Sequence, residues 1–189
     1  PDDGHWLNTP STGDESWRRN DEGGTAGWVA PTGGNYIPAS SSGAHSARFH
    51  SYFTSLTGNL DLFVDCSQQA GTKTLFFDYL NDNTQGFGFD YLEVLVSTDG
   101  GVTFTSQGNF NNSTTWQTNN LSITSNAPNT VIRFMAHGDF NFDTDIALDN
   151  IMVLPPCTGS PIAGDIAPIT PCANVPFNMT LVNNNLQGG

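Results

Sequence analysis

Four aspartates, Asp139, Asp143, Asp145 and Asp149, lie in the run GDFNFDTDIALDNIMV from Gly138 to Val153, whose second half otherwise has the make-up of a core strand. A carboxylate buried alone among apolar side chains costs several kcal/mol unless a cation or hydrogen-bond donors meet it. On an extended strand Asp149 shares one face with Ala147 and Ile151, while Leu148 and Asn150 point the other way. Its charge therefore needs a partner. Carboxylates are hard oxygen ligands, and Ca2+ gathers about six to eight oxygens from acids, backbone carbonyls and water. Calcium is the expected partner of Asp149, with a hydrogen-bonded buried carboxylate as the alternative. Asp139, Asn141, Asp143 and Asp145 come near the spacing of an EF-hand loop, but the turn glycine and the closing glutamate are missing. Asp143 and Asp145 read instead as solvated charges at a strand edge.

Other groups that could do chemistry offer less. The histidines His5, His45, His50 and His137 include no helical i, i+4 pair and no cysteine partner of the kind zinc takes. There is no G-x-S-x-G nucleophile elbow, and none of the carboxylates stands out as an acid and base pair across a cleft. The expectation is a chain that is not an enzyme. Trp28 and Phe87, both in glycine-rich segments, are the candidate ligand-binding aromatics, since an aromatic face stacks on a sugar ring. Trp17 reads as core.

These residues must be held by a chain of 189 residues with 18 acidic and 5 basic side chains, a net charge of -13. Nucleic acid, itself a polyanion, is excluded as a partner, because no basic footprint exists. Clustered acids favour a divalent cation. Charged residues make up 12 % of the chain, about half the usual share, and Ser, Thr, Asn, Gln and Gly replace them, which is an extracellular composition. No run approaches the roughly 18 apolar residues of a membrane span, so no membrane insertion is expected. The opening PDDGHW is not a signal segment, and the chain reads as part of a mature or trimmed protein.

Helical periodicity is absent, and Gly, Pro and Asn interrupt every window. Strands are expected at Ala47 to Phe53, Leu60 to Val64, Thr74 to Leu80, Tyr91 to Ser97, Thr103 to Gly108, Trp116 to Ile123, Thr130 to His137 and Asp145 to Leu154. Leu92, Val94 and Val96 should face one side, as should Ile132, Phe134 and Ala136, opposite Arg133. Many short strands separated by turns make an all-β sandwich of two antiparallel sheets. STDGGVTF, Ser97 to Phe104, is a hairpin with Asp99, Gly100 and Gly101 at its turn. It also fits the Asp-box pattern of sialidase-like propellers, but it occurs once, so it is read as a structural turn. FDYL occurs at Phe77 to Leu80 and at Phe89 to Leu92, and is read as two neighbouring strands in similar surroundings. After Leu154, five prolines punctuate the chain before VPFNMTLV. The expected division is residues 1–154 as one domain and 155–189 as a linker followed by the start of an incomplete immunoglobulin-like domain.

The stretches DESWRRND, EGGTAGWVAPTGGNYI, GAHSARFHS, KTLFFDYL, DYLEVLVS and DIALDNIMV follow one another in the order seen in MAM domains, which the chain resembles. It resembles equally the bacterial cleaved-adhesin or choice-of-anchor J modules. The likeness covers residues 1–154, and the tail from Cys157 looks like the opening of the immunoglobulin-like repeats that follow such modules in large secreted surface proteins. The resemblance implies a jelly-roll sandwich without catalytic activity, serving adhesion, with a structural calcium where the first and last strands meet. By position it assigns Asp149 and Asp14 to that metal, with Asp3 as a third. The Phe-Glu pair that usually opens such modules is not in this chain. It further implies a Cys66 to Cys157 disulfide, leaving Cys172 for a partner beyond the chain; a Cys157 to Cys172 bridge is the rival, since a bridge requires Cα atoms within about 7 Å. The functional expectation is a calcium-stabilised adhesion module, secreted or attached to a cell surface, whose partner is a surface glycan, a protein, or neighbouring copies. The alternatives are a carbohydrate-binding accessory domain of a secreted hydrolase and a structural subunit of an extracellular filament.

Overall fold

A computed structural model describes residues 4–13, 15–20, 38–51, 57–81, 90–111, 113–138 and 144–156. Among them the chain forms ten strands: β1 (Trp6–Thr9), β2 (Arg18–Arg19), β3 (Ala47–Ser51), β4 (Thr57–Val64), β5 (Lys73–Asn81), β6 (Tyr91–Ser97), β7 (Thr105–Phe110), β8 (Gln117–Ile123), β9 (Thr130–His137) and β10 (Thr144–Leu154). They make two antiparallel five-stranded sheets, the first in the order β1-β4-β9-β6-β7 and the second in the order β2-β3-β10-β5-β8. The eight expected strands are present, with ends moved by at most three residues among the described positions. The short β1 and β2 were not expected. The two FDYL copies are not neighbours: Phe77 to Leu80 belongs to the second sheet and Tyr91 and Leu92 to the first. The same four letters serve opposite walls of the sandwich.

Alternation decides which face of each strand is dry. Leu92 and Val94 of β6 and Ile132, Phe134 and Ala136 of β9 are fully buried, and meet Leu75, Phe77, Tyr79, Ile146, Leu148 and Val153 of the second sheet in one core. Phe77 packs edge-on to Phe110 and Phe134, with centroids 5.0 and 5.6 Å apart, which joins the layers. Tyr79 crosses between them and donates its hydroxyl to the Phe110 carbonyl at 2.9 Å. Burial, and then the charge of Asp90, push the Tyr79 phenol well above its ordinary range.

Trp17 is core, as its sequence setting implied. Its indole Nε1 donates to the Gly58 carbonyl at 2.9 Å and its ring lies 5.7 Å from that of Phe49. Asn8 of β1 holds the Trp17 backbone with both ends of its amide, Nδ2 donating to the Trp17 carbonyl at 2.7 Å and Oδ1 accepting from Trp17 N at 3.1 Å. This amide stands in for a strand neighbour and so ties β1, in one sheet, to the start of β2, in the other. The close approach needs Gly58, because a Cβ there would collide with the Glu15 carbonyl and the Phe49 ring.

A bulge interrupts β10. Asp149 pairs with Asp78 and Met152 with Phe76, so Asn150 and Ile151 together oppose Phe77. Asn150 has φ 49°, a left-handed conformation that Asn tolerates better than most side chains. The extra residue reverses the alternation. Asp149 keeps the outward side with Ala147, but Ile151 packs against the core with Leu148, not beside Asp149 as unbroken alternation requires.

Candidate functional site

Asp149 lies on the outer side of the second sheet, where both of its carboxylate oxygens accept hydrogen bonds. Oδ2 accepts from the backbone N–H groups of Ser41 and Ser42 at 2.8 and 2.9 Å, and Oδ1 accepts from Asn150 N at 2.7 Å. Directly opposite on β5, Asp78 accepts from Thr118 Oγ1 at 2.6 Å on one oxygen and from Ser41 Oγ at 2.6 Å on the other. Ser41 Oγ also lies 3.1 Å from Asp149 Oδ2, but a hydroxyl carries a single proton, and the shorter contact takes it. Two like charges facing across a ladder repel; here donors supplied by residues 41 and 42 and by Thr118 separate them. The clamp fastens the segment before β3 onto β10 and β5.

Backbone N–H groups meet Oδ2 of the carboxylate for which a cation was expected. Asp149 Oδ2 is saturated by donors that would repel Ca2+, and among the described residues no three His, Cys, Asp or Glu side chains come together to hold a metal ion. The described residues do not by themselves fit calcium. Asp14 and Asp3, the other expected ligands, lie outside the described residues, as do Trp28, Phe87 and Cys157. Cys66 is fully buried, and its N–H donates to the Ala127 carbonyl at 3.0 Å. The tail from Cys157 to Gly189 also lies outside the described residues.

The outer face of the first sheet carries chemistry that the sequence did not single out. Register sets its side chains in cross-strand rows: Thr57, His137 and Tyr91 in one, and Thr9, Asn59, Met135, Glu93 and Asn109 in the next. Tyr91 and His137 stack almost parallel, 10° apart with centroids 4.3 Å apart, and His137 Nε2 lies 3.1 Å from Glu93 Oε2. The His137 and Glu93 side chains keep 22 % and 20 % of their surface exposed, so the cluster meets solvent. Beside it Asn59 Oδ1 is buried without a donor, an acceptor that costs about 1–3 kcal/mol while unmet. The next row is closed. Arg133 makes a two-pronged pair with Asp61, both contacts 2.7 Å, and its guanidinium lies 3.9 Å from the centre of the Phe104 ring. Arg133 faces away from Ile132 and Phe134, as alternation required. A stacked aromatic pair beside a part-exposed carboxylate can hold a hydroxyl-rich ligand by ring stacking and hydrogen bonds.

No protein-family model matches the chain, and no curated protein matches it. Solved structures do. The K1 cleaved adhesin domain of Lys-gingipain from Porphyromonas gingivalis W83 is similar at 14 % identity and a TM-score of 0.52, over 80 % of this chain and 91 % of that one. The K2 cleaved adhesin domain of Lys-gingipain is similar at 14 % identity and a TM-score of 0.51, over 78 % of this chain and 88 % of that one. The module TmCBM61, solved with β-1,4-galactotriose, reaches 14 % identity and a TM-score of 0.46, over 77 % of this chain and 92 % of that one. The likeness is one of fold, a β-sandwich. No helix among the described residues is long and apolar enough to cross a membrane.

Proposed function

We propose that the chain is an extracellular, non-catalytic binding module of the adhesin type, and that it holds a glycan on the outer face of the first sheet. One observation carries the reading: a solvent-facing Tyr91 and His137 stack, flanked by the part-exposed Glu93 carboxylate, on the outer face of the first sheet. Stacking supplies apolar area and the polar groups supply orientation, the division of labour that ligand sites use. The likeness of the sequence to MAM and choice-of-anchor J modules and the cleaved-adhesin neighbours support adhesion as the setting. Calcium is a separate proposal, resting on Asp14, Asp3 and the lone pair left on Asp149 Oδ1, and is read from the melting temperature with the metal and with chelator. The test of the binding face is a glycan array followed by calorimetry with the sugars that bind. Tyr91→Ala should weaken them by about tenfold, Glu93→Ala should also weaken them, and the near-ultraviolet circular dichroism of both should stay native. Undiminished binding by Tyr91→Ala would remove the ligand from this face.

A further inference from the structure

From Gly100 to Ile132 the chain has no Asp, Glu, Lys, Arg or His, although the whole carries a net charge of -13. This segment supplies β7 and β8, one edge strand of each sheet. Between them opens a groove of about 200 Å³ whose floor is Val96 and Ile123 and whose rim includes Thr98, Thr105, Gln107 and Thr124.

The rim has hydrogen-bonding capacity to spare. The Thr103 and Ser125 hydroxyls, also on the lining, are spent on Asp99 and Thr130. The hydroxyls of Thr98, Thr105 and Thr124 have no partner among the described residues. Gln107 Nε2 donates to the Thr105 carbonyl at 3.0 Å, which leaves its Oε1 open. Edge strands add backbone N–H and C=O groups that no neighbour takes. Asp99, the nearest carboxylate in sequence, is closed off by Ser97, Val102 and Thr103.

We infer that this groove is a second subsite, for one ring of a neutral sugar. An anionic sugar or a phosphate would find no cation on the rim, and a metal ion no open carboxylate. A neutral pyranose offers hydroxyls for the threonines and Gln107 and a C–H face for Val96 and Ile123. The groove is smaller than the ~300–1,000 Å³ of drug-sized pockets, which suits one ring. A charge-free rim also avoids stripping water from an ion to bind a ligand that carries no charge. This inference deepens the glycan reading but rests on residues remote from Tyr91, so the two can fail separately.

The experiment is a two-dimensional amide NMR titration of the chain with neutral trisaccharides of galactose, mannose and xylose at about millimolar concentration, the range of a weak single-ring site. A galacturonate trisaccharide is the charged control, and an uncharged Thr- and Asn-rich peptide tests the edges as strand-docking sites. The expected result is a set of shifts at Val96, Thr98, Thr105, Gln107, Ile123 and Thr124 with at least one neutral sugar and none with galacturonate. Tyr91→Ala should retain these shifts. Thr124→Arg, which fills the groove, should abolish them, and Gln107→Ala should weaken binding several-fold, with the unliganded spectra of both remaining dispersed. Shifts confined to Tyr91 and His137, equal response to galacturonate, response to the peptide alone, unchanged binding by Thr124→Arg, or silence with every neutral sugar would each overturn the inference.

Discussion

Removing the Asp149 carboxylate tests whether hydrogen bonds are enough to hold it. Asp149→Ala deletes three hydrogen bonds from backbone N–H groups to a charged acceptor, at 2.7, 2.8 and 2.9 Å. Bonds to charged groups contribute about 1.5–3 kcal/mol each when buried, but Ser41 and Ser42 lie at the surface and water replaces part of the loss. The substitution also relieves repulsion from Asp78 opposite, worth about 0.2–1 kcal/mol. The net cost is about 2 kcal/mol, or roughly 4–8 °C in melting temperature for a domain of this size. Asp149→Asn keeps one carbonyl acceptor, so its cost should be about half. The assay is thermal and urea unfolding in chelator, with amide exchange at Ser41 and Ser42 as the local readout. In chelator the wild type should remain the more stable by the stated margin, and both serine amides should exchange faster in the variant. If chelator alone brings the wild type down to the level of Asp149→Ala, a cation and not the amides carries the load, and the hydrogen-bond account is refuted.

Three further outcomes are expected. Gly58→Ala drives a methyl group into the Glu15 carbonyl and the Phe49 ring and should cost about 1–3 kcal/mol or more; a urea midpoint unchanged from wild type would show that the approach is looser than described. Lys73, fully buried, donates its ammonium to the Ser125 carbonyl and Asn126 Oδ1 at 2.8 and 2.7 Å. Lys73→Met should therefore lower stability by about 1–3 kcal/mol, since it leaves buried acceptors unmet, and amide exchange should rise at Cys66, whose N–H bonds the Ala127 carbonyl. Ser97 and then Thr103 hold the Asp99 carboxyl far below the usual aspartate range. A group whose folded value is depressed stabilises above its unfolded value and loses that contribution as the pH falls through the folded one. Carboxyl NMR should accordingly find Asp99 still ionised at a pH where ordinary aspartates have protonated, and Asp99→Asn should reduce the acid sensitivity of the hairpin.

The strands were legible where alternation runs long enough to speak. Thr130 to His137 and Tyr91 to Ser97 keep their expected limits because an apolar residue recurs at every second position of the core face. β1, four residues, and β2, two, are too short to show a period, and tertiary pairing forms them: β1 on β4, and β2 on β3. The demand of Asp149 for a partner was legible, but its donors were not, because Ser41 and Ser42 lie more than a hundred residues away and offer backbone groups that every residue possesses. The bulge was hidden for the same reason. Nothing in LDNIMV announces that Asn150 will turn left-handed and send Ile151 inward. The Tyr91 and His137 cluster had a faint signal, a tyrosine and a histidine on outward strand positions, but only register across β6 and β9 brings the rings together.

Trp17 and Trp116 report on different parts of the molecule. One indole is clasped to the Gly58 carbonyl inside the sandwich, and the other reaches the Ala39 carbonyl at the surface. With Trp6 and Trp28 replaced by phenylalanine, emission from the first should shift only on global collapse, whereas emission from the second should follow the release of residues 39–42 from the sheet. The chain thus carries its own pair of optical gauges for separating a loosened strap from a lost fold.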